Sequence, residues 1–190
     1  MYAHGLVARF EGPNEEDDAY AIAQGNTILG TKTFLTAQVT PWVHINAPGK
    51  KLVNMSFGAG WTPTNGWAGD YDKVGDLSAF VSYGTAHTYP LIGQKTTSTM
   101  SRLNGLARLA AKSRPVATTE IGWDAKTWTT PDVVAKAVLQ AAFAGVLLGN
   151  TLVSFYALFD DQSGKFGLFE ATGTPRPSAR TWRAKASSLS

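Results

Sequence analysis

Two glutamates close two mostly apolar segments of this 190-residue chain. Glu15 follows residues 6–10 after a Gly-Pro-Asn sequence, and Glu120 ends the run that begins at Pro115. A pair of carboxyl groups cleaves a glycosidic bond when one donates a proton to the leaving oxygen and the other attacks the anomeric carbon. The residue types therefore indicate this chemistry, if both groups lie at the same end of neighbouring strands.

Five strand-like segments alternate with helical ones, and these elements must position the two glutamates. Apolar and β-branched runs bounded by Gly, Pro or Asn predict strands at 5–11, 51–57, 80–89, 115–120 and 152–160. After a short helix and a Gly-rich turn, helices are predicted near 33–43, at 96–112, from Thr129 or Thr130 to Gly149, and after Pro177.

This alternation predicts an α/β fold with a parallel sheet built from βα units. An eightfold barrel usually takes about 250 residues, which is longer than this chain. We therefore predict a single domain over residues 1–190: a partial (β/α) TIM-type barrel, roughly half of one, with about five parallel strands and flanking helices.

The two-residue period of a strand predicts which side chains share a face. Each strand has one apolar face and one face that carries both polar and apolar side chains. This pattern fits a barrel wall, in which helices cover the apolar face and polar groups lie inside, near the carboxyl ends of the strands. The predicted inner faces are Val81, Tyr83, Thr85, His87 and Tyr89; Val116, Thr118 and Glu120; and Ser154, Tyr156, Leu158 and Asp160.

Composition excludes several other kinds of chemistry. The chain has no cysteine, which rules out disulfides and thiol catalysis. Its three histidines, His4, His44 and His87, show no metal-ligand spacing, so no metal and no other cofactor is predicted. The net charge of +3 is spread out, and the basic residues at 50–51 and 176–185 fit solvated helix faces better than a nucleic-acid surface.

The most apolar stretch, residues 133–148, is interrupted by Lys136, Gln140 and Gly145. It predicts a buried helix, too short and too mixed to cross a bilayer, so no membrane partner is expected. The first residues show no charged leader and no long apolar region. A complete chain would then be expected in the cytoplasm; otherwise its location is unknown.

Four short motifs, in order along the chain, resemble the strand ends of clan A glycoside hydrolases. They are Gly-Pro-Asn-Glu at 12–15, His-Thr-Tyr-Pro at 87–90, Thr-Glu-Ile-Gly-Trp at 119–123 and Tyr-Ala-Leu-Phe-Asp-Asp at 156–161. In that clan they belong to the fourth, sixth, seventh and eighth strands of a (β/α)8 barrel. The resemblance covers nearly the whole chain and implies the C-terminal part of such a barrel, without its first three strands.

This resemblance implies a retaining β-glycosidase with Glu15 as acid/base and Glu120 as nucleophile. The carboxyl groups of a retaining pair lie about 5–5.5 Å apart, and those of an inverting pair lie further apart. Asn14 is expected to bind the sugar hydroxyl next to the reacting carbon. Tyr89 or His87 is expected to donate a hydrogen bond to Glu120.

Further contacts with the carbohydrate substrate are expected after the strands, from Trp123, Tyr156 and Asp160. A Trp that often stands on the clan's last strand is replaced here by Phe155 or Tyr156. Other rings that could stack on sugars are Trp61, Trp67 and Trp128.

Each assignment has a structural alternative. Glu15 begins an acidic run, 15–18, that favours the start of a helix. Glu16, the next residue, is the alternative to Glu15 if the motif is shifted by one position. Glu11 is expected to be a buried strand carboxylate paired with Arg9. The alternatives for the remaining residues are a satisfied core position for His87, loop packing for the Trp residues, and turn capping for Asp160 and Asp161.

Two functional hypotheses follow. The chain is either an active β-glycosidase or a folded half-barrel fragment that at most binds carbohydrate weakly. An open half barrel leaves two strand edges and part of its apolar interior uncovered, and such edges pair with other chains. We therefore expect a homodimer or a higher oligomer.

Overall fold

The computed structural model describes residues 7–15, 25, 27–57, 71–91, 93–123, 130–160 and 166–180. Five strands lie in these ranges: β1 (Arg9–Glu11), β2 (Lys51–Val53), β3 (Gly84–Thr88), β4 (Val116–Ile121) and β5 (Val153–Phe155). Each predicted strand has a counterpart, which confirms the α/β class with flanking helices. Residues 5–6 of the first prediction lie outside the described ranges.

The strands form two sheets, one with the order β1-β2 and one with the order β3-β4-β5. β1 and β2 are parallel with Glu11 opposite Val53, and β4 and β5 are parallel with Thr118 opposite Val153. A parallel bridge joins Val53 to Tyr83, just before β3. Because parallel strands end at the same edge, the residues after β1 and β2 meet each other.

Helix α1 covers residues 28–46 and is longer than predicted. It consists of an α-helical turn (Ile28–Phe34), a π-helical segment (Leu35–Val39) and a second α-helical part (Thr40–Asn46). The helix begins early because the Thr27 side chain accepts a hydrogen bond from the Gly30 N–H. It continues through Pro41, which has no N–H to donate, and the wider π-helical segment ends two residues before that proline.

Two further helices agree closely with the sequence pattern. α2 spans Thr96–Ala110, and α3 spans Pro131–Leu147. Thr130 is the N-cap of α3, where its hydroxyl oxygen accepts from the Val133 N–H. Gly149 follows the helix with a φ of 69°, a left-handed conformation that glycine adopts easily. Residues 177–180 are helical, as predicted after Pro177, and the rest of that prediction lies outside the described ranges.

The last strand is shorter than the predicted 152–160. The Tyr156 N–H still donates to the Ile121 carbonyl of β4, and beyond Tyr156 the backbone bonds to a later segment: Leu168 N–H donates to the Ala157 carbonyl, and Phe169 N–H donates to the Leu158 carbonyl. The alternation predicted through Asp160 is therefore wrong beyond β5, because a sequence period cannot tell which neighbour a segment pairs with.

The described residues belong to two compact units. Unit 1 comprises Met1–His87 and Leu103–Ala117, and unit 2 comprises Thr88–Arg102 and Thr118–Ser190. The core of unit 1 includes Leu35, Val43, Leu52, Met55, Phe57, Tyr71, Val74, Leu77, Leu103 and Val116. The core of unit 2 includes Met100, Ile121, Trp123, Val138, Ala141 and Ala144. The prediction of one domain stays a prediction.

Among the described helices, none combines the length and apolarity needed to cross a lipid bilayer.

Candidate active site

In unit 1, Glu15 is held in an uncommon backbone conformation just after β1. Its φ is 47°, in the left-handed region that residues with a side chain rarely occupy. The backbone N–H of Glu15 donates to the Ser56 hydroxyl oxygen over 3.2 Å, and that hydroxyl donates to Asn14 Oδ1 over 3.2 Å. Ser56 is fully buried after β2, so it fixes the direction in which both Asn14 and Glu15 leave the strand end.

Gly12 makes this turn possible because it lets two backbones touch. A Cβ atom at this position would lie 2.9 Å from the Met55 nitrogen and 3.1 Å from the Asn54 carbonyl carbon. The Gly12 N–H donates to the Val53 carbonyl over 3.0 Å, which continues the β1–β2 pairing beyond the strands. The glycine of the Gly-Pro-Asn-Glu motif therefore has a steric role.

His87, near the end of β3, connects two carboxylates within unit 1. Its Nδ1 lies 2.7 Å from Glu15 Oε1, and its Nε2 lies 3.3 Å from Glu11 Oε1. The imidazole is fully buried, whereas the Glu15 and Glu11 side chains are 26% and 31% exposed. The His87 ring thus meets the candidate acid/base on one side and a second carboxylate on the other.

Glu11 was expected to be a buried strand carboxylate, but its side chain is 31% exposed, and it contacts His87. Its expected pairing with Arg9 stays a prediction. The Arg9 guanidinium lies over the Tyr83 ring, 4.9 Å from its centroid. The sequence shows a carboxylate four residues before Glu15, but His87 is 76 positions away from Glu11, so no local pattern indicates that contact. Ser56 was missed for the same reason.

In unit 2, Glu120 is half-buried near the end of β4 and accepts a hydrogen bond from Tyr89. The distance between the Tyr89 hydroxyl and Glu120 Oε2 is 2.5 Å. Of the two donors that the sequence offered for Glu120, the structure confirms Tyr89. A phenol donating to a carboxylate stabilises its ionised form, which is the form that a nucleophile requires.

An aromatic cluster holds the Tyr89 ring. It makes edge contacts with Tyr156 and Phe166, at centroid distances of 6.3 Å and 5.8 Å. Gly122 lies beneath these rings: a Cβ there would be 2.6 Å from the Tyr156 carbonyl oxygen and 3.0 Å from Tyr89 Cε1. The predicted substrate residue Tyr156 therefore also supports the tyrosine that bonds Glu120.

Two other predicted substrate residues are engaged elsewhere. Trp123 is only 3% exposed and packs in the unit 2 core with Val134 and Val138, which fits the packing alternative rather than stacking on a sugar. Asp160 Oδ1 accepts from the Gly167 N–H over 3.0 Å, and its Oδ2 pairs with Arg176 over 2.5 Å. Both Asp160 oxygens thus hold the segment after β5, as the turn-capping alternative implies.

Several candidates lie outside the described residues: Glu16, Trp61, Trp67, Trp128 and Asp161.

The carboxylates of Glu11 and Glu15 and the imidazole of His87 are also ligand types that bind divalent cations. The expectation that the chain uses no metal therefore stays a prediction.

Comparison with known proteins identifies the fold. No family model matches the chain, and no curated protein sequence matches it. Solved structures do match the chain. A GH128 (subgroup I) endo-β-1,3-glucanase from Amycolatopsis mediterranei, in complex with laminarihexaose, matches with a TM-score of 0.66 and 17% identity over 96% of this chain and 74% of that one.

Two more structures show the same likeness. A β-1,3-glucanosyltransferase from Rhizomucor miehei has a TM-score of 0.62 and 15% identity, over 87% of this chain and 60% of that one. A family 39 glycoside hydrolase from Bacteroides cellulosilyticus WH2 has a TM-score of 0.65 and 18% identity, over 90% of this chain and 39% of that one. At these identities the likeness is one of fold alone, and it confirms a partial TIM-type barrel like that of these structures.

Proposed function

We propose that this chain is a retaining β-glycosidase in which Glu15 is the acid/base and Glu120 is the nucleophile. One observation carries the proposal: each strand-end carboxylate has a hydrogen-bonding partner from one short segment. His87 lies 2.7 Å from Glu15, and Tyr89 lies 2.5 Å from Glu120. His87 and Tyr89 are two residues apart, and side chains at that spacing share a face of an extended chain.

The proposed reaction has two steps. Glu120 attacks the anomeric carbon while Glu15 gives its proton to the leaving oxygen, which produces a covalent glycosyl-enzyme. Glu15 then removes a proton from water, and the water oxygen displaces Glu120 with net retention of configuration. Tyr89 donates a hydrogen bond to Glu120, and Asn14 is proposed to bind the hydroxyl next to the reacting carbon.

β-1,3-Glucans are the proposed substrate class. The structural neighbours include two β-1,3-glucanases and two β-1,3-glucanosyltransferases, and two of these four were solved with laminarin oligosaccharides. The chain spans only 39–60% of the length of three of these neighbours. That one chain alone hydrolyses the substrate is therefore itself proposed.

Hydrolysis of laminarin oligosaccharides and of an aryl β-glucoside tests the proposal. We expect Glu120→Gln to lower kcat by at least about a thousandfold, since the amide cannot form the covalent intermediate. Glu15→Gln should mainly slow substrates with poor leaving groups, which need the proton. The exposed Glu170 serves as the control, and Glu170→Gln should leave hydrolysis unchanged. Full activity of Glu120→Gln would refute the assignment, and sugar binding without turnover would support the fragment hypothesis.

We also propose that two copies associate through unit 2. β5 ends the strand order β3-β4-β5, so among the described residues it has one strand neighbour. On α3, Phe143, Val146 and Leu147 are 69%, 79% and 84% exposed, beside an apolar groove of about 380 Å³ lined by Val138, Ala142, Val153, Phe155 and Leu168. A second copy would cover this apolar surface and the β5 edge.

A further inference from the structure

A cavity of about 530 Å³ lies beside the strand end that leads to Glu15. Residues 11–13 line one part of it, and Thr27, Thr31 and Phe34 from the start of α1 line another. All of these residues belong to unit 1. The volume is within the range of about 300–1,000 Å³ that is usual for ligand sites of proteins. The cavity is therefore large enough to hold a small ligand.

Thr31 carries a hydroxyl group that differs from those of the other threonines in α1. Thr33, Thr36 and Thr40 each donate to a carbonyl oxygen of the same helix, over 2.9 Å, 3.0 Å and 2.9 Å. Thr31 lines the cavity and is only 7% exposed, and its hydroxyl makes no hydrogen bond within the described part of the chain. A nearly buried hydroxyl without a partner is costly, so a ligand that bonds to it gains affinity.

Two other side chains of the cavity indicate the chemistry of that ligand. The Glu11 side chain is 31% exposed, and a carboxylate accepts strong hydrogen bonds from hydroxyl groups. Phe34 is 47% exposed and offers an apolar ring surface. Glu11 is the one ionisable group among the described lining residues, and its charge disfavours an anion. A ring with many hydroxyl groups and an apolar C–H face, as in a pyranose sugar, fits this combination.

We propose that the cavity is a subsite for a further glucosyl unit of a β-glucan, on the leaving-group side of the bond that is cleaved. This inference rests on the proposed role of Glu15 as acid/base. The acid/base lies against the leaving oxygen, and residues 11–13 of the cavity belong to the strand end that leads to Glu15. In this account Phe34 packs against the sugar ring, and Thr31 and Glu11 bond to its hydroxyl groups.

Kinetics with two substrates test the subsite. Laminaritriose has a sugar leaving group that fills the cavity, whereas β-glucosyl fluoride loses only fluoride. We expect kcat/KM for laminaritriose to fall about tenfold in Phe34→Ala and about fivefold in Thr31→Val. For β-glucosyl fluoride, kcat/KM should stay unchanged in both variants. Glu11 is left intact because it also contacts His87.

Two exposed positions of the same helix supply matched controls. Thr33→Val removes a hydroxyl that bonds within the helix, and Leu29→Ala removes an apolar side chain that is 65% exposed. Neither residue is among the described residues that line the cavity, so both variants should hydrolyse laminaritriose at the unmodified rate.

Calorimetric titration with laminaritriose measures binding apart from turnover. In a Glu120→Gln background, Phe34→Ala and Thr31→Val should raise the Kd by the same factors as they lower kcat/KM. Unchanged values for laminaritriose, or equal losses on both substrates, would overturn the proposal. So would a change in oligomeric state by light scattering without a change in sugar affinity, because a second copy would then cover the cavity.

Failure of the proposed function has a different signature. If the unmodified protein hydrolyses neither substrate, Glu15 loses its role, and titration of the unmodified protein still decides whether the cavity binds sugar. Binding that weakens in Phe34→Ala would support the cavity as a sugar site, and no binding at millimolar laminaritriose would overturn it. If Phe34→Ala does not fold, Thr31→Val decides.

Discussion

At the scale of single residues, Glu15 of the candidate site has a strained backbone conformation, with a φ of 47°. A residue with a side chain in the left-handed region costs about 1 kcal/mol or more, and such costs persist where surrounding contacts impose them. Here the contact is the Ser56 hydroxyl, which accepts from the Glu15 N–H and donates to Asn14. The strained residue is also the one that meets His87, which supports a functional reading of the turn.

Replacing Ser56 with alanine tests this link. The Glu15 N–H loses its acceptor and Asn14 loses its donor, so we expect a loss of about 1–2 kcal/mol in the free energy of unfolding. A displaced acid/base should also lower kcat about tenfold. Urea unfolding and laminarin kinetics measure the two effects, with Ser101→Ala on the exposed face of α2 as the control. Unchanged kcat in Ser56→Ala would show that this turn does not position Glu15.

At the scale of elements, the loop that leads into β3 is tied to the end of α2. Asp76 Oδ1 accepts from the Ser78 N–H over 3.0 Å and from the Lys112 N–H over 3.3 Å. The backbone hydrogen bond from Ser78, with smaller help from Lys112, lowers the pKa of Asp76 below its ordinary value. This anchor precedes the strand that carries His87.

The lowered pKa predicts a pH-dependent contribution to stability. Because the folded state favours the ionised carboxylate, Asp76 stabilises the fold above the unfolded-state pKa of about 3.9, and this contribution disappears as the pH falls through the lower folded-state value. Asp76→Asn should therefore be less stable than the unmodified protein at pH 7 and equally stable near pH 2. Urea midpoints at both values check this, and a difference that persists at acid pH would contradict it.

The sequence predicted the elements better than their ends or their partners. Alternating apolar strands and helices indicated five strands in the observed order, and Thr130 and Gly149 bounded α3 as expected. α1 runs through Pro41 and contains a π-helical segment, Leu35–Val39, that ends two residues before the proline; composition shows neither feature.

For the candidate site too, the sequence indicated the residues better than their partners. The bond from Tyr89 to Glu120 was one of two options that the motifs offered. The contacts of Glu11 and Ser56 join residues 76 and 41 positions away, and such contacts depend on strand packing rather than on local pattern.

At the scale of the whole molecule, the described strands amount to part of a barrel, and the neighbours of known structure are longer chains. Unit 2 leaves apolar side chains of α3 in solvent, and such a surface on a folded protein usually marks an interface. The proposal of self-association through α3 and β5 belongs to this scale.

Light scattering coupled to gel filtration should find a dimer or a larger assembly at micromolar concentration. Val146→Glu places a charge on the exposed part of α3 and should shift the population toward monomer by at least tenfold in the dissociation constant. Lys136→Glu, also exposed on α3, is the control for a change of charge. A well-folded monomer of the unmodified protein at that concentration would exclude this interface.

The most direct measurement of the central claim is the configuration of the products formed when azide rescues two glutamate variants. With Glu120→Ala, azide attacks the anomeric carbon of an activated β-glucoside in place of the missing nucleophile, and we expect the α-glucosyl azide. With Glu15→Ala, azide intercepts the covalent intermediate, and we expect the β-glucosyl azide. The opposite pairing of variants and configurations, or no rescue of either variant of an active enzyme, would contradict the account.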